Sequence, residues 1–192
     1  MLTQAQPRTA ADLIVCPPSR ASHDQQALSS RVRRAVARVA HQRWFAAFGR
    51  RLAPLDRAMY RASAGRLTIM GPQGAAMPPT LLLTTTGRRS GQPRVTPVMY
   101  LQDGERIVIT SENFGQERPA AWPLNLAAEA RATIQVGGHI SPVQASRATD
   151  DEISRYWPRF VEVWPPHESY GRRSGVRNMF VLTPIDDVRA TG

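Results

Sequence analysis

From residue 79 onward, apolar and β-branched residues come in short runs that end at glycine or at other turn residues, the texture of a small β protein. Residues 80–86, Thr-Leu-Leu-Leu-Thr-Thr-Thr, predict a strand that stops at Gly87. Residues 94–101 and 106–110 predict a hairpin, because the Asp103-Gly104 pair between them favours a tight turn. Residues 132–136 and 140–147 predict a second hairpin around Gly137-Gly138, and residues 180–182 a closing strand. Two stretches read as helical. Residues 119–128 open at Pro119 and carry Trp122, Leu124 and Leu126. Residues 150 to about 163 start at a Thr149 or Asp150 cap, with acids in the first turn that suit the helix dipole. About six short strands with two or three helices define an α+β domain, a small and partly open β-barrel. No internal repeat is present.

The N-terminal third has a different pattern. Leu28, Val32, Val36 and Val39 recur at helical spacing, with Arg31, Arg34 and Arg38 opposite and Ser29 or Ser30 as a cap. A second stripe, Trp44, Phe45, Phe48 and Leu52, is out of phase with the first and predicts a separate helical piece. Pro54 suits the first turn of a third, carrying Leu55 and Met59. Residues 1–27 are rich in Gln, Ala, Ser and Pro with little periodicity, which predicts disorder. The expected division is a tail at 1–27, a basic amphipathic helical arm at 28–66, and a barrel domain at 67–192.

Charge sharpens that division. All 25 basic residues are arginine. Residues 1–66 hold 12 of them against three acids, a balance of +9, whereas residues 67–192 hold 13 against 12, a balance of +1. The arm could therefore lie on an anionic membrane surface, bind nucleic acid less favourably, or pack on the barrel or a second copy. No apolar run approaches the roughly 18 residues of a membrane span, and no secretory signal is evident at the N-terminus. One cysteine forms no internal disulfide, which fits a reducing cytoplasm. The chain offers no Cys/His metal cluster, no G-x-S-x-G elbow and no paired carboxylates, so no metal is expected.

Candidate chemistry enters at residues 84–94, Thr-Thr-Thr-Gly-Arg-Arg-Ser-Gly-Gln-Pro-Arg. A strand ends at a glycine, Arg88 and Arg89 follow, Ser90 and Gly91 offer a hydroxyl and bare amides, and Arg94 begins the return strand. Such a cluster suits phosphate or several carboxylates, although a solvated turn has the same composition. The spacing and the missing lysine rule out a Walker loop.

This segment closely resembles the deazaflavin-dependent nitroreductase family, split-barrel oxidoreductases that use coenzyme F420. The family's T-T-G-R-[KR]-[ST]-G-Q-P-R pattern is matched through Arg94 and followed by Thr96-Pro97-Val98-Met99-Tyr100-Leu101. A second block at 111–118 is similar to the family's Ser/Asn-Gly loop, and residues 119–126 to its P-x-W-x-x-N-L helix. Val136-Gly137-Gly138 falls where the family has a hairpin; the likeness covers roughly residues 80–184.

The resemblance implies a reductase that passes a hydride from reduced F420 to an electron-poor acceptor such as an enone, quinone or nitroaromatic. Arg88, Arg89, Ser90, Gly91 and Arg94 would hold the phosphate and oligoglutamate end of the cofactor. Thr96, Pro97, Ser111, Asn113 and Gly115 would approach the deazaflavin ring, and Ala121, Trp122 and Asn125 would close over it. Met99, Trp164, His167 and Tyr170 would wall the acceptor, and Tyr170, His167 or Ser111 would supply a proton. The family's tyrosines give way here to Met99, Trp164 and His167, which leaves the acceptor open. The alternatives are a barrel that holds FMN or haem, or a basic interaction module without catalysis. A homodimer is compatible with the resemblance.

Overall fold

The computed structural model describes residues 78–116, 118–175 and 177–185, with scattered positions between 52 and 72. Its strands are β1 (Leu67–Thr68), β2 (Gly71–Pro72), β3 (Thr80–Thr86), β4 (Pro93–Asp103), β5 (Arg106–Ser111), β6 (Arg131–Val136), β7 (His139–Arg147) and β8 (Asn178–Pro184). The helices are α1 (Ala121–Ala128), α2 (Asp150–Val163) and α3 (Pro166–Ser174), and a 3₁₀ turn spans Asn113–Gly115. β1 and β2 form a small hairpin, while the other six strands close an antiparallel barrel in the order β3-β4-β5-β8-β7-β6.

Strand alternation builds two cores on the two faces of one sheet. Leu81 and Leu83, Val98, Ile107 and Ile109, Ile134, Val143, Phe180 and Leu182 fill the barrel, and Trp122 and Leu126 of α1 join them. The intervening positions Leu101, Val108, Met179 and Val181 point outward and are covered by Tyr156, Trp157 and Phe160 of α2. Burying each such side chain stabilises the fold by about 1.5–3 kcal/mol. The register therefore sets which face α2 can cover.

The expected hairpins form where the turn residues stand. Asp103 pairs with Arg106 across Gly104 at φ +63, and Val136 pairs with His139 across Gly137 at φ +58. α2 begins at a full capping box, in which Thr149 takes the Glu152 amide and Glu152 takes the Thr149 amide. Two elements were not expected from the sequence, the β1–β2 hairpin and α3. α3 starts with Pro166, whose missing N–H costs nothing at that position, and ends at Gly175 in the left-handed region, φ +65.

The anticipated tail and arm lie mostly outside the described residues. Of that stretch, positions 52, 55, 58–60 and 62 are helical, in line with the short helix read from Pro54, Leu55 and Met59. Tyr60 ties this segment to the barrel: it is 1% exposed, and its hydroxyl donates to the Thr80 and Gln135 carbonyls at 3.1 and 3.2 Å. β3 and β6 are paired only from Leu82↔Gln135 to Thr84↔Thr133, so Tyr60 fills the seam where these strands part. No helix among the described residues is long and apolar enough to cross a membrane.

Candidate active site

The turn between β3 and β4 is built rigidly before any ligand is considered. The Gly87 amide bonds the Gln92 carbonyl at 2.9 Å, and the Ser90 and Gly91 amides return to the Gly87 carbonyl at 3.0 and 2.7 Å. A Cβ on Gly87 would stand 2.8 Å from Ser90 Oγ and 3.1 Å from the Gln92 carbonyl, so a side chain there would have to displace Ser90. Arg94 Nη2 donates to Ser90 Oγ at 3.2 Å. From below, Asn125 of α1 is buried; its Oδ1 takes the Arg88 amide at 3.3 Å, and its Nδ2 donates to Thr85 Oγ1 at 3.0 Å. Asn125 thus bolts α1 to the turn, with both amide atoms engaged by the protein. The side chains of Arg88, Arg89 and Arg94 are exposed, and among the described residues none meets a carboxylate. Three guanidinium groups without a carboxylate partner among the described residues, on a fixed backbone, fit the phosphate and carboxylates of an anionic cofactor tail.

The second feature is the 111–115 loop, which leaves β5 where Ser111 pairs with Asn178 of β8. Asn113, Phe114 and Gly115 follow one another at φ 46, 56 and 74. Asparagine and glycine tolerate this region; for phenylalanine it costs about 1–2 kcal/mol. The surroundings hold the conformation in place. Glu112, 4% exposed, turns inward, where Oε1 accepts from Thr110 Oγ1 at 2.9 Å and Oε2 lies 2.6 Å from His167 Nδ1. Toward an ionised carboxylate, Nδ1 is the nitrogen that donates. Ser111 Oγ takes the Asn113 amide at 3.2 Å, Asn113 Nδ2 donates to the Arg118 carbonyl, and Arg173 Nη2 donates to the Phe114 carbonyl at 3.3 Å. A Cβ on Gly115 would fall 2.6 Å from Arg173 Nε.

Helix α3 supplies the wall behind this loop. His167 is buried among Trp157, Phe160 and Tyr170, at ring separations of 6.1, 5.8 and 6.4 Å, and its Nε2 has no partner among the described residues. Tyr170 is 3% exposed; burial pushes its phenol up to about 12, against the opposing pull of Arg173 and of a Trp164 hydrogen bond. Trp164, His167 and Tyr170 therefore line an interior. Met99 packs on the same outer core as Trp157 and Phe160, so it belongs with them behind the loop. Trp122 stacks edge-on against Phe180 inside the barrel at 5.8 Å. Thr96 and Pro97 are half-buried on β4, while Ala121 is exposed at the first turn of α1.

The two features share one end of the barrel. β3 runs into the arginine turn after Thr86, and β5, antiparallel to β4, runs into the loop at Ser111, so both leave the barrel at the same set of strand ends. The motif pointed to Ser111, Asn113 and Gly115, but Glu112, Phe114 and Arg173 carried no signal of their own. Only the improbable left-handed run before Gly115 could have singled them out, and nothing local in the sequence announces it.

A closed six-stranded antiparallel barrel with a few helices is the architecture of the split-barrel, FMN-binding-like proteins. A solved F420-H2 dependent reductase superposes with a TM-score of 0.50 at 25% identity, covering 54% of this chain and 93% of that one. The chain belongs to the F420H(2)-dependent quinone reductase family, whose model matches residues 54–184, and is accordingly an F420-dependent oxidoreductase. An F420H(2)-dependent quinone reductase of Mycobacterium tuberculosis is 35% identical over 111 residues, 57% of this chain and 72% of that protein. A second protein of that organism, named after the same activity, is 35% identical over 91 residues, 47% of this chain and 76% of the other.

Proposed function

We propose that this protein reduces a quinone with reduced coenzyme F420. The observation that carries the proposal is the arginine turn, in which Arg88, Arg89 and Arg94 are fixed by Gly87 and Asn125 yet lack carboxylate partners among the described residues. These guanidinium groups would hold the phosphate and oligoglutamate end of the cofactor, with Ser90 and Gly91 at the same turn. When bound, the reduced deazaflavin supplies the hydride. Ser111, Asn113 and Gly115, on the loop at the same end of the barrel, would border the ring.

A quinone that receives a hydride needs one proton to become the hydroquinone. Ser111 is the candidate donor nearest solvent: it is half-buried, and its oxygen already accepts the Asn113 amide. Its own proton has no acceptor among the described residues and can be held at a quinone oxygen, with solvent resupplying it. Tyr170 and His167 sit deeper and act from behind the loop, Tyr170 keeping its proton through neutral pH.

Separate titrations of the purified full chain with F420 and with FMN test the cofactor, and turnover of 1,4-naphthoquinone against a nitroaromatic tests the acceptor. Binding of F420 without FMN, with faster quinone turnover, is expected. Tight FMN binding with no F420 binding would overturn the proposal, as would nitroaromatic turnover without quinone turnover.

A further inference from the structure

Phe114 holds a position that is unfavourable twice over. Its backbone is left-handed at φ 56, a region that suits glycine, and the residue is 43% exposed. The loop that keeps it there is secured by the Glu112–His167 pair, by Arg173 on the Phe114 carbonyl and by Asn113 on the Arg118 carbonyl. Among the described residues the one ring it meets is Tyr170, at 6.0 Å and 68° between planes, so the ring is oriented without being covered. Strain maintained around an exposed and oriented aromatic is the arrangement expected of a ligand platform.

Its location narrows the ligand. The arginine turn is fastened to α1 through Asn125, whereas Phe114 is fastened to α3 through Arg173 and Tyr170. Phe114 stands three residues beyond Ser111 in the same loop, on the side secured to α3. An acceptor ring held at Ser111 for protonation is therefore bordered by the loop that presents Phe114. We infer that Phe114 is the residue on which the acceptor ring stacks, and that it sets the preference for flat, electron-poor rings. The inference rests on the quinone-reductase reading. The face of a phenyl ring is its negative pole, so offset stacking favours an electron-deficient quinone over an aliphatic enone of the same size.

Equilibrium dialysis of the full chain against 1,4-naphthoquinone tests this without cofactor. F420 affinity, read from deazaflavin fluorescence, and thermal unfolding are followed in parallel. Phe114→Ala is expected to weaken naphthoquinone binding about tenfold, the measure of one lost aromatic contact plus its area. Phe114→Tyr restores that binding, and F420 affinity stays within about twofold in both variants, as a role confined to the acceptor requires. Phe114→Gly removes ring and strain together; it is expected to lose naphthoquinone while unfolding no earlier than the wild type. Unchanged naphthoquinone binding in Phe114→Ala overturns the inference, as does no binding to the wild type. A parallel loss of F420 affinity would make Phe114 a cofactor contact, and early unfolding of Phe114→Gly would make the ring structural; either result overturns it. A wild type that binds naphthoquinone but not F420 overturns the reductase reading alone, and the dialysis still decides the stacking.

Discussion

Single residues at the active end do two different jobs, holding the turn and holding the loop, and substitution separates them. Asn125 serves the turn by accepting from the Arg88 amide and donating to Thr85. Asn125→Ala leaves a buried hydroxyl and an amide without partners, a loss of about 1–3 kcal/mol, and F420 affinity falls as Arg88 loosens. Asn125→Asp keeps an acceptor for the Arg88 amide, and the Thr85 hydroxyl can turn to donate, but it places a carboxylate at a buried position, so the urea midpoint falls as well. The added negative charge beside Arg88 still weakens F420, and a variant that binds as well as wild type would remove Asn125 from the anion site. Glu112 serves the loop. Glu112→Ala strands Thr110 and His167 and is expected to cost about 1–3 kcal/mol, read as a shift in the urea midpoint. The arginines and Asn125 were legible because residue type, a glycine turn and motif spacing coincide there. Glu112 was not: a lone acid in a polar loop has no period, and its partner His167 lies 55 positions further along the chain.

Whole elements were legible in proportion to how local their determinants are. The β3 run, the two glycine-centred hairpins and the capped start of α2 are fixed by neighbours in sequence, and each stands within a few residues of the expected place. α3 was missed because Pro165-Pro166 reads as an interruption, yet Pro166 takes the one helical position that needs no N–H. Its stability comes from Trp157, Phe160 and Glu112, contacts that no local pattern encodes. Its joint with the 111–115 loop can be probed by comparing two glycines. Gly104 and Gly115 have similar dihedrals, φ +63 and +74, but a Cβ on Gly104 meets nothing within 4 Å whereas one on Gly115 meets Arg173. Gly104→Ala carries the left-handed penalty alone, about 1–2 kcal/mol. Gly115→Ala carries that penalty and displaces Arg173, so its urea midpoint should fall further and its naphthoquinone binding should weaken. Equal midpoints for the two variants would mean that Arg173 moves aside freely.

Across the whole molecule, buried phenols sit at both ends of the barrel. Tyr60 closes the seam between β3 and β6 at the end away from the arginine turn, and Tyr170 backs the loop at the active end. Burial raises both from 10.0 to about 12, and Tyr156 is raised as well by burial and by its bond to Asp103. A raised phenol means that the fold favours the neutral form over the phenolate. The stability this contributes is fully present below pH 10, the unfolded value, and is lost as pH climbs from 10 through the folded value near 12. Urea midpoints should therefore be flat in these groups from pH 7 to 9 and fall steeply above 10. Tyr170→Phe removes one titrating group and should flatten the fall. Tyr60→Phe should flatten it too, but from a lower starting midpoint, because the Thr80 and Gln135 carbonyls lose their donor. If both variants lose stability above pH 10 as steeply as the wild type, the seam and the loop are not where alkali opens the barrel. The same sign predicts that Tyr170 imposes no break on kcat below pH 10, so an inflection near neutrality must arise from another group at the active end.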